Sequence, residues 1–473
     1  MKFFLPKCGG QKGMRFELVR RDFYLSSSIL NRTHMRYDDH FVLRTRFVGD
    51  KSRQYLQGIL LSQDRGNLCE YAKIVPDCDN QSLHHFITNS PWDDRAVIDH
   101  IQRDVADLIG DPVEGSIHID ESGFPKHGKH SVGVKRQYCG RLGKVENCQV
   151  GVFLGYAKGS HRTLIDGQLY LPRDWARDKH RRSDAGIPEE ITFKSKAEIG
   201  LEMILNARRN GVPFAWVGMD CFYGEQPWLR NRLDSEGLIF ISDIPCDTRV
   251  WLRLPRTGIP ERKNNRGRWP ARERVLEGEP APFEVSKIKD QLNPQQWNRV
   301  FVRDAERGEL WVDIACLRVY PVEDGLPGKE LWLIIRKGDQ GKIKYQLSNA
   351  SQYTDFQQLA KMSCSRYWIE RALEDAKGIA DLADYEVRSW RGWHHHVAMS
   401  LLAMMVLLTM NIELGRKADF LTLQDVKEIL EVIMPKRKIS QEELIELIKA
   451  KHKARYSARK SHHRRSSTLT VVD

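Results

Sequence analysis

GSIHIDESGFP, residues 115–125, is the stretch on which the fold turns. Apolar and polar residues alternate from Ser116 to Asp120, the period of a strand with one face in a core, and Gly123-Phe124-Pro125 reads as the turn that stops it. Two further strand-like runs follow, CQVGVFLGYA (148–157) and RTLIDGQLYLP (162–172). After a charged loop of about twenty residues, KAEIGLEMILNARRNG (196–211) has helical period and closes on Gly211. PFAWVGMD (213–220) then reads as a buried strand, QPWLRNRLDSEG (226–237) as a helix and LIFISDIP (238–245) as another strand. Three strands, helix, strand, helix, strand is the order of a mixed α/β layer.

Outward from this layer the text changes twice. From Cys246 to about Ser351 helical period gives way to strands, NRVFVRD, GELWVDIACLRVYP, ELWLIIRK and KIKYQLS, so residues 246–351 form a β-rich insertion. Helical period returns at Phe356 and runs to Leu414, which makes 111–245 and 352–415 the two halves of one core. Residues 1–110 form a largely helical N-terminal region, in which Ser90 can cap a helix whose first residue is Pro91. Residues 416–473 hold two more helical segments and a basic tail: Lys449 to Arg465 carries eight Lys+Arg and no acid, and reads as a solvated, mobile run or a non-specific phosphate contact.

The 473 residues carry 75 Lys+Arg against 63 Asp+Glu, a surplus of +12 that favours a polyanionic partner, since clustered cations release counterions from phosphates. With 41% hydrophobic residues the chain is not a disordered tail protein. Its nine cysteines, an odd number spread over the whole chain with no CxxC and no His pair at finger spacing, speak against a disulfide framework and a structural zinc site. The start, MKFFLPKCGGQKGMRFE, has too short an apolar run for a signal peptide. Val397 to Leu408 falls short of a membrane span and reads as a buried helix. A cytoplasmic setting, with no membrane partner, is the expectation. Gly123 to Lys129 has the spacing of a phosphate loop, but His130 stands where a hydroxyl is needed and no helix follows.

The carboxylates fall at informative places. Asp120 ends the apolar run SIHI and Asp220 ends FAWVGM; an acid where a strand leaves the core faces a cleft from a rigid support, although either alone also suits a turn. In SRYWIERALEDAKG (365–378), Ile369, Ala372, Leu373 and Ala376 form an apolar stripe, and Arg366, Glu370 and Lys377 lie within about 40° of one another beside it. A solvated face of charge pairs has the same pattern. Three acids at the edges of one α/β layer, with bases beside the third, are what two-metal phosphoryl transfer requires, and oxygen ligands favour Mg²⁺, with Mn²⁺ as substitute, over zinc.

The segments IDESGFPKHGKHSVGVKRQYCGRLGKVENCQVGV (119–152), WVGMDCFYG (216–224) and YWIERALEDAKGIADLADYEVRSWRGWHHH (367–396) resemble the DDE insertion-sequence transposases of bacteria, closest to the group with a Tyr-Arg-Glu-Lys signature. The resemblance runs from about Arg53 to Leu414. It implies an RNase H-like mixed-sheet core interrupted by a β-rich insertion, with Asp120, Asp220 and Glu370 as catalytic acids and ligands of two Mg²⁺. The signature arginine falls on Arg366 and the lysine on Lys377, both DNA contacts; the tyrosine is absent, because position 363 is Ser. Glu121 and Glu374 are neighbouring acids, the first expected on the other side of its strand.

Basic and aromatic residues nearby then have a use: Lys126 and Lys129 after the first acid, Arg388 and Trp390 after the third, as DNA contacts, although a solvated loop and a core-boundary tryptophan are the plain alternatives. His394, His395 and His396 are consecutive, splay around a helix and are not read as a metal site. The implied partners are the element's terminal inverted repeats and target DNA, with a homodimer or larger synaptic assembly. The rival is a domesticated, non-cutting DNA-binding regulator, against which the retention of all three acids speaks.

Overall fold

The computed structural model describes residues 15–63, 66–261, 271–305, 308–338, 341–438 and 440–469. Its core sheet contains β1 (Ser116–Pro125), β2 (Lys135–Cys139), β3 (Lys144–Lys158), β4 (His161–Leu169), β5 (Trp216–Met219) and β6 (Phe240–Ile244). β1 lies antiparallel to β3, which also pairs β2 and β4; on its other side β1 runs parallel to β5, and β5 parallel to β6. The order β4-β3-β1-β5-β6, three antiparallel strands followed by two parallel ones, is the RNase H-like sheet that the family resemblance implies.

β1 is longer than its text suggests. Antiparallel pairing continues to Pro125 opposite Cys148, so Gly123-Phe124-Pro125 is strand and not turn, and Asp120 sits in mid-strand. The reason is the 15-residue β3, which offers partners all the way. Gly123 keeps the approach open: a Cβ there would lie 2.7 Å from Cys139 Sγ. The pairing with β5 ends earlier, at His118 opposite Gly218, and Asp120 lies two residues beyond it.

The β-rich insertion is not a detached unit. Its strands β7 (Asn298–Ala305), β8 (Gly308–Glu323), β9 (Leu331–Lys337) and β10 (Ile343–Ser348) form an antiparallel run, and β10 pairs β6, with Gln346 opposite Asp243. The insertion therefore extends the core sheet through β6.

Helices cover the sheet. The N-terminal region supplies α1 (Arg20–Met35), α2 (Gly49–Leu61), α3 (Leu68–Ile74), α4 (Asn80–Thr88) and α5 (Asp94–Ile109). α5 starts at Asp94, not Pro91, because the Asp93 carboxylate accepts the N–H groups of Arg95 (2.9 Å) and Ala96 (3.2 Å), while Ser90 is taken by His85. The core adds α6 (Lys196–Arg209) and α7 (Pro227–Ser235) between strands, then α8 (Phe356–Cys364), α9 (Tyr367–Ile379) and α10 (Trp390–Gly415). The charged loop before α6 contains two short helical pieces, Arg173–Arg177 and Lys179–Asp184.

α10 is long and apolar enough to cross a membrane, but its central residues Leu401 to Leu408 are buried inside the protein, where α10 packs on β4, α5 and α2. N-terminal helices and core helices share one hydrophobic cluster, from Ile29 to Met434. At the C-terminus come α11 (Leu423–Ile433) and α12 (Gln441–Leu469). The basic run read as a mobile tail continues α12: Ala, Lys and Arg are good helix formers, and no glycine or proline interrupts them.

Candidate active site

β1, β5 and β6 are the parallel strands of the sheet, and ligands of such sheets bind outside the carboxyl ends of the strands. Each strand delivers an acid there. Asp120 projects from β1 just past its last β5 partner, Asp220 directly follows β5, and Asp243 lies near the end of β6. Asp220 is fixed as the cap of the turn Cys221–Gly224, its carboxylate accepting the Tyr223 N–H at 3.2 Å.

α9 brings the fourth acid. The predicted stripe Ile369, Ala372, Leu373 and Ala376 is buried against the sheet, and Gly155 of β3 leaves room for Ile369, since a Cβ there would come within 2.5 Å of its Cδ1. Burying that stripe turns Glu370 toward the cleft. Just before α9, the Ser365 hydroxyl accepts from the Trp216 indole (3.0 Å) and donates to the Met362 carbonyl (2.6 Å), tying the α8–α9 junction to the start of β5. Arg366 is the next residue.

The Arg366 guanidinium sits among the acids. Nη1 lies 3.6 Å from Asp120 Oδ2, Nε 3.4 Å from Asp243 Oδ2, and Nη2 makes a close ion pair with Glu370 Oε1. Burial, joined by the charge of Asp220, pushes the Asp120 carboxyl up to about 7 against the pull of Arg366. Burial raises Asp220 as well, and Glu121 adds to it, while the Tyr223 N–H and Arg366 work the other way. Burial also opposes the Arg366 charge, but Glu370, Asp243 and Asp120 outweigh it and raise that pKa. Asp120, Asp220 and Asp243 are crowded, poorly solvated carboxylates beside the Arg366 guanidinium, and Glu370 is exposed at the rim.

Neighbouring acids separate by geometry. Glu121 accepts from Lys196 Nζ (2.7 Å) and the Tyr223 hydroxyl (3.3 Å) instead of meeting Arg366. Glu374 is exposed and paired with Arg371 at 2.7 Å. Lys377 is near enough to Asp120 to feel its charge; burial lowers the ammonium's pKa, with Arg141 adding to that and Asp120 opposing.

The other predicted contacts are not all at this place. Lys126 is engaged by its own chain, donating to the Tyr385 carbonyl (3.0 Å) and lying 3.5 Å from the centre of that ring; burial pushes it down to about 8. Lys129 and Arg388 are exposed. Trp390 is half-buried with its ring 4.3 Å from that of His394. The three histidines are buried and spent on local partners: His394 on the Trp390 carbonyl, His395 on the Ile87 and Trp92 carbonyls, His396 on Tyr55 and the Asp381 carbonyl.

Sequence reasoning missed Asp243, although the rule that found Asp120 and Asp220, an acid at the exit of a buried strand, applies equally to LIFISDIP. The hard oxygen donors of Asp120, Asp220 and Glu370 fit a divalent cation. With Arg366 between them, no three acids, histidines or cysteines among the described residues are arranged to hold one as they stand.

Known proteins show the family of this chain. The family profile described as "DDE superfamily endonuclease" matches residues 41–309. A relative from Microchaete diplosiphon, "Probable transposase for insertion sequence element IS701", is 35% identical over 207 residues, 43% of this chain and 50% of that protein, so the similarity spans half of the relative's length. The match covers β1 to β6 and most of the N-terminal helices as well as the acids Asp120, Asp220 and Asp243, and the chain belongs to the DDE superfamily endonucleases.

Proposed function

We propose that this protein is the transposase of a bacterial insertion sequence, which binds the element's terminal inverted repeats, cleaves a strand at each end and joins the freed 3′-hydroxyls to target DNA. The observation that carries this reading is the convergence of Asp120 and Glu370 on Arg366, beside Asp220, at the carboxyl ends of an RNase H-like sheet. Asp120, Asp220 and Glu370 would hold two Mg²⁺, for which Mn²⁺ substitutes. When bound, such ions lower the pKa of the attacking water or hydroxyl and stabilise the leaving oxygen.

The chain's own groups supply the rest. Asp120 is raised by burial and by the charge of Asp220, and a bound cation would stabilise its charged form. Arg366 and Lys377 flank Glu370 on one side of α9 and hold the scissile strand by its phosphates; Lys129 and Arg388 are exposed cations for the flanking duplex, and the half-buried Trp390 would stack its indole on an unpaired base. Lys126 would first have to leave Tyr385 to join them. The N-terminal helices would contribute to end recognition and α12 a sequence-independent contact. Two copies, or a larger assembly, would hold two ends together in the cytoplasm on nucleoid DNA.

The test is a cleavage assay with purified protein, Mg²⁺ and labelled DNA from the boundaries of the element around the gene. Cutting at the repeat ends that stops with a chelator while binding persists is the expected result. Specific binding without cutting in Mg²⁺ or Mn²⁺ would favour the regulator reading instead.

A further inference from the structure

Asp243 is the acid of the cleft to which neither the three-acid scheme nor the signature around Glu370 gives a task. It is 8% exposed, and of the three acids that meet Arg366 its side chain is the most buried. Gln346, its partner across the β6–β10 pair, donates to Oδ1 at 2.6 Å and is itself anchored by a bond to the Ser363 carbonyl at 3.1 Å. Lys344 Nζ lies 3.8 Å from Oδ2. Glu370 is the opposite case, a side chain 47% exposed on the first turn of a helix.

Arg366 uses its three nitrogens unequally. The two terminal ones face Asp120 and Glu370, the acids assigned to a cation; the inner Nε faces Asp243. That inner contact is an ion pair without hydrogen-bond alignment. A cation taken up by Asp120 and Glu370 competes with Nη1 and Nη2 but not with Nε.

We propose that Asp243 is a positioning residue: it keeps Arg366 at the cleft when Asp120 and Glu370 turn to a cation, so that the two freed Nη groups can grip a DNA phosphate. This rests on the reading of Arg366 as a strand contact. The insertion thereby acts on the cleft, through Gln346 of β10.

The sign of one measurement separates this from a bystander role. Removing an anion beside a polyanion by electrostatics alone tightens DNA binding. If Asp243 acts through Arg366, Asp243→Asn loosens it. The assay is equilibrium binding of a labelled duplex from the element boundary in Ca²⁺, with unaltered protein, Asp243→Asn, Arg366→Ala, the double variant and Asp243→Glu. Each single loss should weaken binding about tenfold, the scale of a charged hydrogen bond. The double variant should bind no worse than Arg366→Ala alone, and Asp243→Glu, which keeps the charge, should recover most of the affinity. Gln346→Leu, which loosens Asp243 without altering charge, should give a smaller loss and serves if Asp243→Asn does not fold. Binding by Asp243→Asn or Gln346→Leu at or above the unaltered level, or a double variant that loses the product of both single effects, overturns the proposal. An unaltered protein that does not bind DNA would refute the transposase reading itself, and this inference with it.

Discussion

Replacing Asp120 by Asn should stabilise the metal-free protein while abolishing cleavage. The carboxyl is pushed from 3.8 up to about 7 by burial and by Asp220. At about 1.4 kcal/mol for each tenfold change in proton affinity, holding Asp120 charged in the folded state costs about 4 kcal/mol above neutral pH. Asn keeps the shape and removes the charge; the shifted pKa already contains the pull of Arg366, and a discount for the partial exposure of the Asp120 side chain leaves a net gain of about 1–3 kcal/mol. The sign follows from linkage. A folded pKa above the unfolded one means a penalty absent below about pH 4, growing through the acid range and complete above about pH 8. Thermal melting in chelator should therefore show the Asp120→Asn variant ahead at pH 8, with the lead shrinking steadily to pH 5. Saturating Mn²⁺ should narrow or reverse it, because only the unaltered protein gains binding free energy. A variant that melts below the unaltered protein at pH 8 in chelator would show that Asp120 is not held under charge stress and that the cleft does not store the repulsion assigned to it.

Other perturbations separate neighbouring roles. Glu370→Gln should leave DNA binding intact and reduce cleavage by several orders of magnitude, as loss of a metal ligand implies, whereas Glu374→Gln, which breaks only the exposed pair with Arg371, should cut normally; the reverse result in the same assay would move the site one turn along α9. Deleting the chain from Lys449 should lower affinity for all DNA about equally and flatten its dependence on salt in a titration; a selective loss of end recognition would mean that α12 reads bases. Gly218→Ala should destabilise by about 1–3 kcal/mol in chemical denaturation, because its Cβ would lie 2.2 Å from Nδ1 of the buried His118 on the strand that carries Asp120. Acid should also unfold the protein early: burial lowers His118 and His395 to about 3, so each is neutral when folded but protonated when unfolded below its ordinary 6.5, a loss of about 2 kcal/mol per residue by pH 5 that denaturation at pH 7.5 and 5 can check.

The core was legible because periodicity and burial agree in it. Strands that alternate or run apolar between β1 and β6, and the stripe on α9, bury the residues their spacing selects; the order of strands and helices gives a mixed α/β layer, and the resemblance makes it RNase H-like. What the sequence hides is pairing at a distance. Gly123-Phe124-Pro125 has the composition of a turn, and only the length of β3 opposite makes it strand. Ser90-Pro91 has the form of a helix start, but a better cap stands two residues on at Asp93. Lys126 follows an acid in a basic loop, yet whether it faces DNA or Tyr385 depends on a segment some 260 residues away.

Asp243 shows the same limit from the other side. Its strand is visible in the text, but its significance comes from Arg366, 123 positions later and across the β-rich insertion. An insertion placed between the second acid and the glutamate looks like a tolerated interruption when the chain is written in one line. In space it extends the sheet at β6, the strand bearing Asp243, and supplies Gln346 and Lys344 to that acid. The edge strand of the core is thus covered instead of exposed, which removes a row of unpaired backbone groups, and the acid on it gains rigid partners. Covering the edge and fixing Arg366 are one structural act, so changes in the insertion that leave the core sequence untouched should still alter how the cleft holds its arginine.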